Sequence, residues 1–210
     1  MHTHAATLPG NVRPEPGMGI YDKKLGMWVF LASEVMFFTG LIGSYIILRF
    51  GSDAWAAPGV VLNVPLTAFN TFVLICSSVT MVKAFASVLD GDQRKLRLWL
   101  FATIVLGTFF VSVQAYEYIK LAEHGFMPRC SEALAAETPN CNLYGSTFYT
   151  MTGFHGTHVT IGVLCMWFVF WKAMRGQYSP EDYGGVEIVG LYWHFVDLVW
   201  IILFTIVYLI

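Results

Sequence analysis

Five stretches of this chain stay apolar for about twenty residues or more: about 27–48, 66–89, 98–121, 147–171 and 186–209. The charged residues gather between them. An α-helix rises 1.5 Å per residue, so about 20 apolar residues cover the roughly 30 Å hydrocarbon layer of a bilayer. The pattern therefore predicts five transmembrane helices, and the ten-residue alternation of a membrane β-barrel is missing from it. The expected fold class is an all-α membrane protein, a five-helix bundle over 27–210 behind an N-terminal tail, 1–26. Pro9, Pro14, Pro16 and four glycines make that tail read as mobile. Its first apolar stretch comes too late and runs too long for a signal peptide.

Composition agrees: 56% of residues are hydrophobic and 12% charged, which excludes a water-soluble domain. The net charge of −2 offers no footing for nucleic acid. Lysine and arginine set the direction of threading. Arg13, Lys23, Lys24, Lys83, Arg94, Lys95, Arg97, Lys172 and Arg175 fall on one side, against Arg49, Lys120 and Arg129 on the other. By the positive-inside rule the N-terminus is cytoplasmic and the C-terminus periplasmic or extracellular. The longest connection, about 122–146, then lies outside and holds Cys130 and Cys141. In an oxidising compartment these either close a short loop, worth about 2–3 kcal/mol, or remain two free thiols. Cys76 and Cys165 lie within spans and read as small apolar packers.

The candidate chemistry is a small set of polar residues inside the spans. Glu34 is a lone carboxylate in the first, where burying a charge costs about 3 kcal/mol. Untilted helices put it about 10 Å from the cytoplasmic edge, level with His194, and put His158 level with Asp197. His155 and His158 share one helix face, as do His194 and Asp197. These patches form either one buried cluster with Glu34 or three local arrangements. Three intramembrane histidines also raise haem or metal ligation, which needs facing axial ligands or three to four converging ones. Interhelical hydrogen bonding is the simpler account, and no metal site is expected. His2 and His4 in the tail are a further metal-binding candidate.

Gln114 and Glu117 close the third span near the outer interface, where Glu117 is expected to reach headgroups or water. Thr152, Gly156 and Thr160, four apart, form a face that lets another helix approach closely. No nucleophile elbow, phosphate-binding loop or Cys-x-x-Cys pair occurs, so the chain shows no self-sufficient catalytic set.

Several of these segments carry a family likeness: Trp28-Val29-Phe30-Leu31-Ala32-Ser33-Glu34-Val35-Met36-Phe37-Phe38-Thr39-Gly40, Gln114-Ala115-Tyr116-Glu117-Tyr118, Tyr144-Gly145-Ser146-Thr147-Phe148, Thr152-Gly153-Phe154-His155-Gly156-Thr157-His158-Val159 and Tyr192-Trp193-His194-Phe195-Val196-Asp197-Leu198-Val199-Trp200. In this order they resemble subunit III of the haem–copper respiratory oxidases, in its shorter five-helix bacterial form. The second span and the tail carry no comparable signature. The resemblance implies a non-redox accessory subunit in the bacterial cytoplasmic membrane. It would pack against subunit I, with subunit II and small additional membrane subunits nearby. It would hold phospholipid and support proton uptake and durability, while haem and copper stay in its partners and none binds here. The family's carbodiimide-reactive carboxylate maps onto Glu34. The Ser33-Glu34 pair and the Gln114–Tyr118 stretch look more like the cytochrome c oxidase branch than like quinol oxidases or nitric-oxide-reductase-associated homologues. From a different class, an independent proton channel or transporter, or a haem-binding membrane anchor, would use the same ionisable residues.

Overall fold

The computed structural model describes residues 22–55, 59 and 62–210. His2, His4 and the tail through residue 21 lie outside them. The described chain is helical: α1 (Asp22–Phe50), α2 (Val64–Leu89), α3 (Gln93–Glu123), the short α4 (Glu132–Glu137), α5 (Cys141–Met174) and α6 (Gly184–Phe204). A π-helical turn, Thr205–Leu209, prolongs α6. Five of these helices are long and apolar enough to cross a membrane.

The long helices begin ahead of their apolar stretches, and in α2 and α3 a side-chain cap satisfies the first N–H groups. α1 starts at Asp22, ahead of the predicted 27, and so carries Lys23 and Lys24 on its first turn. α2 begins under an Asn63 side chain that accepts from the Leu66 N–H, with Pro65 in the first turn. The Asp92 carboxylate caps α3 by accepting from the N–H groups of Arg94 and Lys95 at 3.1 and 3.0 Å. The Lys95 backbone bond is the main reason its pKa is lowered. Gly91, at φ 74°, makes the tight turn that sets α2 and α3 antiparallel.

Burial along the helices repeats every 3.5 residues. The buried stripe of α2 includes Thr67, Asn70, Leu74, Ser77, Met81, Ala84 and Val88. That of α3 includes Leu96, Leu100, Thr103, Gly107, Phe110, Gln114, Glu117 and Leu121. Alternating steps of three and four are the geometry of left-handed bundles. The residues in the seam are as often small or polar as aliphatic, which suits helices that pack by close approach rather than by the hydrophobic effect.

α6 is the hub, packed on α2, α5 and α1. Its Trp193 is fully buried. The ring lies where a Cβ on Gly107 would fall 2.7 Å, and one on Gly162 3.0 Å, from the indole. Two glycines from α3 and α5 thus form a socket, and the indole N–H donates to Ser77 of α2 at 2.9 Å. α1 stands at the edge, resting mainly on α6 and α5. Its contact stripe is narrow: Leu31, Phe38 and Tyr45 are buried, with Glu34 half-buried between the first two.

Candidate functional site

The α1 stripe brings Glu34 to α5, not to α6. Glu34 Oε2 lies 3.0 Å from His158 Nε2, and the two side chains are 19% and 15% exposed. The depth estimate set Glu34 level with His194, and the partner it meets is His158, which that estimate set about 5 Å deeper. The error is about one helical turn. α5 begins at Cys141, six residues ahead of the apolar stretch from which its depth was counted, and its 34 residues run to about 51 Å.

The geometry defines where a proton sits. His158 Nδ1 is 2.7 Å from the carbonyl oxygen of Phe154, which can only accept, so Nδ1 carries its hydrogen. The Nε2···Oε2 contact then encloses one proton, held either by a neutral carboxyl donating to the ring or by an imidazolium donating to a carboxylate. Phe38 sets its ring edge-on to His158, 5.2 Å between centroids. The Tyr192 hydroxyl donates to the His158 carbonyl at 3.0 Å. The pair is thus clamped by three helices and stays reachable from the bundle's flank.

His194 and Asp197 do form a joint patch, through a residue of α2. Ser78 donates to Asp197 Oδ2 at 2.6 Å, and His194 Nδ1 lies 3.3 Å from the same hydroxyl. His155 departs from the expectation of a patch shared with His158. It is fully buried, neither ring nitrogen has a hydrogen-bond partner, and the ring stacks on Trp200 at 4.7 Å and 28°. Residues three apart still diverge when one reaches the bundle axis and the other its rim. The interhelical hydrogen bonds expected of the histidines thus hold for two of three.

Gln114 and Glu117 are also corrected: both are only 6% exposed and face the interior. Glu117 accepts from Thr67 at 2.9 Å and from Tyr208 at 3.3 and 3.4 Å. The π-helical turn delivers Tyr208, and neighbouring Tyr116 takes the outward position. Gln114 Nε2 donates to the Thr152 carbonyl at 3.0 Å, and Tyr118 and Thr152 share a hydrogen bond of 2.6 Å. A Cβ at Gly156 would stand 2.9 Å from Gln114 Oε1, so Thr152 and Gly156 form the close contact of α5 with α3. Thr160 lies beyond it, exposed, with its hydroxyl donating to the Gly156 carbonyl.

Cys130 and Cys141 form a disulfide, Cα to Cα 6.1 Å, tying the α4 loop to the start of α5. Cys76 is half-buried and Cys165 exposed on the outer helix surface. Sequence reasoning places the second span but misses the polar residues on its inner side. Thr67, Asn70, Thr71, Ser77, Ser78 and Thr80 line one side of it and meet Glu117, the Phe110 carbonyl, Trp200, Trp193, Asp197 and Thr103. Their heptad-like spacing was the available signal.

Among the described residues no group of three or more histidine, cysteine or acidic side chains is placed to hold a metal ion. Membrane-length helices joined by hydroxyl, imidazole and indole bonds define a multi-pass helical membrane protein. The model of the family "Cytochrome c oxidase subunit III" matches residues 6–210. Cytochrome c oxidase subunit 3 of Thermostichus vulcanus is 37% identical over 186 residues, covering 88% of this chain and 86% of the relative. The Synechocystis protein of that name is 39% identical over 189 residues, 89% and 75% of the two chains. The Corynebacterium diphtheriae one is 38% identical over 189 residues, 89% and 87%. The chain belongs to the cytochrome c oxidase subunit III family.

Proposed function

We propose that this chain is the non-redox accessory subunit of an aerobic haem–copper oxidase, with cytochrome c as the electron donor to the complex. The family match over nearly the whole chain carries the oxidase assignment. The names of the relatives favour the cytochrome c branch over a quinol oxidase or a nitric-oxide-reductase-associated homologue. The histidines support a non-redox role: His158 and His194 are engaged by Glu34 and Ser78, and His155 is walled by Trp200 and Phe110. None of the three faces another as a haem's axial pair would. Haem and copper then reside in subunits I and II, with subunit I the main contact.

In this reading Glu34 and His158 form a proton-holding pair on the flank of α1, contributing to proton uptake by the complex. The bundle stabilises the oxidase and holds phospholipid. The lysine and arginine asymmetry supports a cytoplasmic N-terminus, and with it a disulfide loop on the periplasmic side of a bacterial cytoplasmic membrane, where oxidising conditions keep the bond. Purification from native membranes in mild detergent tests the assignment. Two larger subunits with haem and copper should accompany the chain. A haem-free homo-oligomer would instead identify an independent channel or transporter, and a Soret band from the isolated chain would identify a haem anchor.

A further inference from the structure

On the flank of the bundle, α3 and α5 leave a groove of about 320 Å³ between them. Its walls are low, with Ala115 on α3 and Gly153, Gly156, Thr157 and Thr160 on α5. From Gly153 to Thr160 the groove runs roughly 10 Å, or two helical turns. Small residues alone would mark only a smooth surface, and Gln114 adds a demand. Its side chain forms the floor, is 6% exposed, and has only half of its amide engaged. Nε2 donates to the Thr152 carbonyl at 3.0 Å, while Oε1 meets no donor among the described residues. The neighbouring hydroxyls have no hydrogen to spare. Thr157 and Thr160 donate to the Gly153 and Gly156 carbonyls at 2.9 and 2.8 Å. Thr152 donates to the Phe148 carbonyl, so the hydrogen between Thr152 and Tyr118 is the tyrosine's. A nearly buried amide oxygen is thus left unpaired on the groove floor, which is costly.

We infer that this groove docks one transmembrane helix of a small additional subunit, whose serine, threonine, asparagine or glutamine side chain donates to Gln114 Oε1. Depth selects protein as the occupant. Gln114 lies seven residues inside the end of the apolar stretch 98–121, about 10 Å into the hydrocarbon, where lipid has no N–H or O–H to give. Hydrogen bonding selects a foreign chain, because a second copy of this one would bring the same spent hydroxyls. Size selects a single helix. Two turns of groove over glycine let one backbone approach closely, whereas a large subunit binds through a broader face. The inference rests on the reading of the chain as an oxidase subunit, and it names a further partner and its seat.

The test places the photo-crosslinker p-benzoylphenylalanine at Ile161, an exposed residue on the groove's rim, in the whole oxidase complex. Native membranes are irradiated, the complex is purified, and the crosslinked peptide is sequenced by mass spectrometry. The bond should form to a membrane-spanning segment of a small subunit, with a donor side chain within two turns of the attachment point. Ala115→Trp fills the groove from an exposed position and leaves the Gln114 contacts in place, so it should lower that subunit's retention per haem at least tenfold. Gln114→Met keeps the length and removes the acceptor. It should lower retention about threefold, the scale of one hydrogen bond between membrane helices, and removing the partner's donor should then add nothing. A bond to a second copy of this chain, to subunit I or II, or to lipid alone overturns the inference. Retention unchanged by Ala115→Trp or by Gln114→Met overturns it too. Purification without haem and copper would sink the oxidase reading itself, whereas an intact oxidase with nothing crosslinked at Ile161 sinks only this inference.

Discussion

The Glu34–His158 pair is best understood as two side chains and one proton. Glu34→Gln keeps the length and supplies an amide N–H for a neutral His158 Nε2, so the contact survives without the shared proton. Glu34→Ala strands the imidazole, and a buried group left unpaired costs about 1–3 kcal/mol. The glutamine variant should therefore keep haem content, subunit retention and most oxygen consumption, and the alanine variant should lose this subunit more readily in detergent. A glutamine variant that stays assembled yet no longer turns over would refute the accessory reading, because it would place Glu34 in the chemistry itself. The glycines pose the opposite problem, one of excess volume. Gly156→Leu drives a side chain into Gln114, and Gly107→Leu drives one into Trp193. Overpacking of this kind costs about 1–3 kcal/mol. Both variants should dissociate from the oxidase at lower detergent than the parent, and retention equal to the parent's would show that α3 yields there.

At the scale of helices, α2 works as a rack of hydroxyls for its neighbours. Thr71 and Ser77 receive the indole N–H groups of Trp200 and Trp193, both at 2.9 Å. Hydrogen bonds between membrane helices average about 0.6 kcal/mol. Ser77→Ala or Thr71→Ala should thus cost only about that much, and the two together should remain modest in a thermal or denaturant assay of the complex. A loss several times larger from either would mean that the indole is left with no other partner. The same helix shows what the sequence could and could not convey. Five spans were legible, because twenty apolar residues in a row have little alternative. Which side of each span faces inward was not legible from hydropathy, since the lipid side is as apolar as the core. The interior is marked instead by small and polar residues, plainly at Thr152 and Gly156, whose spacing of four stands out, and less plainly along Thr67, Asn70 and Ser77. Depth arithmetic, counted from the ends of the apolar stretches, set Glu34 about one turn from His158, and α5 starts six residues ahead of its own stretch. It gave no hint that His155 would end on a tryptophan face.

For the whole molecule, three ties hold the ends together. The disulfide Cys130–Cys141 pins the loop over one end. At that end Arg49 donates to the Tyr45 hydroxyl at 2.9 Å and also to the main-chain oxygen of Ile210. At the other, Lys24 and Glu187 form an ion pair of 2.5 Å, linking α1 to α6. Closing a loop as short as that between the cysteines contributes about 2–3 kcal/mol. Alkylation of the unfolded, unreduced protein should leave both cysteines unlabelled, and prior reduction should expose both. Labelling of the pair without reductant would refute the bond.

The edge position of α1 has a consequence for how the chain is made. Its neighbours are α5 and α6, the last two of the described helices to leave the ribosome. At about 5–20 residues per second, Cys141 at the start of α5 follows Phe50 by roughly 5–18 s. Throughout that interval α1 has neither of the helices it packs on, and α2 and α3 pair before it docks. Nascent α1 must wait in lipid with Glu34 unmatched, so whatever meets it there, insertase or sister subunit, meets a carboxyl still looking for its histidine. A chain stopped before Cys141 should therefore expose α1 to crosslinking from the insertion machinery, and the full-length chain should not.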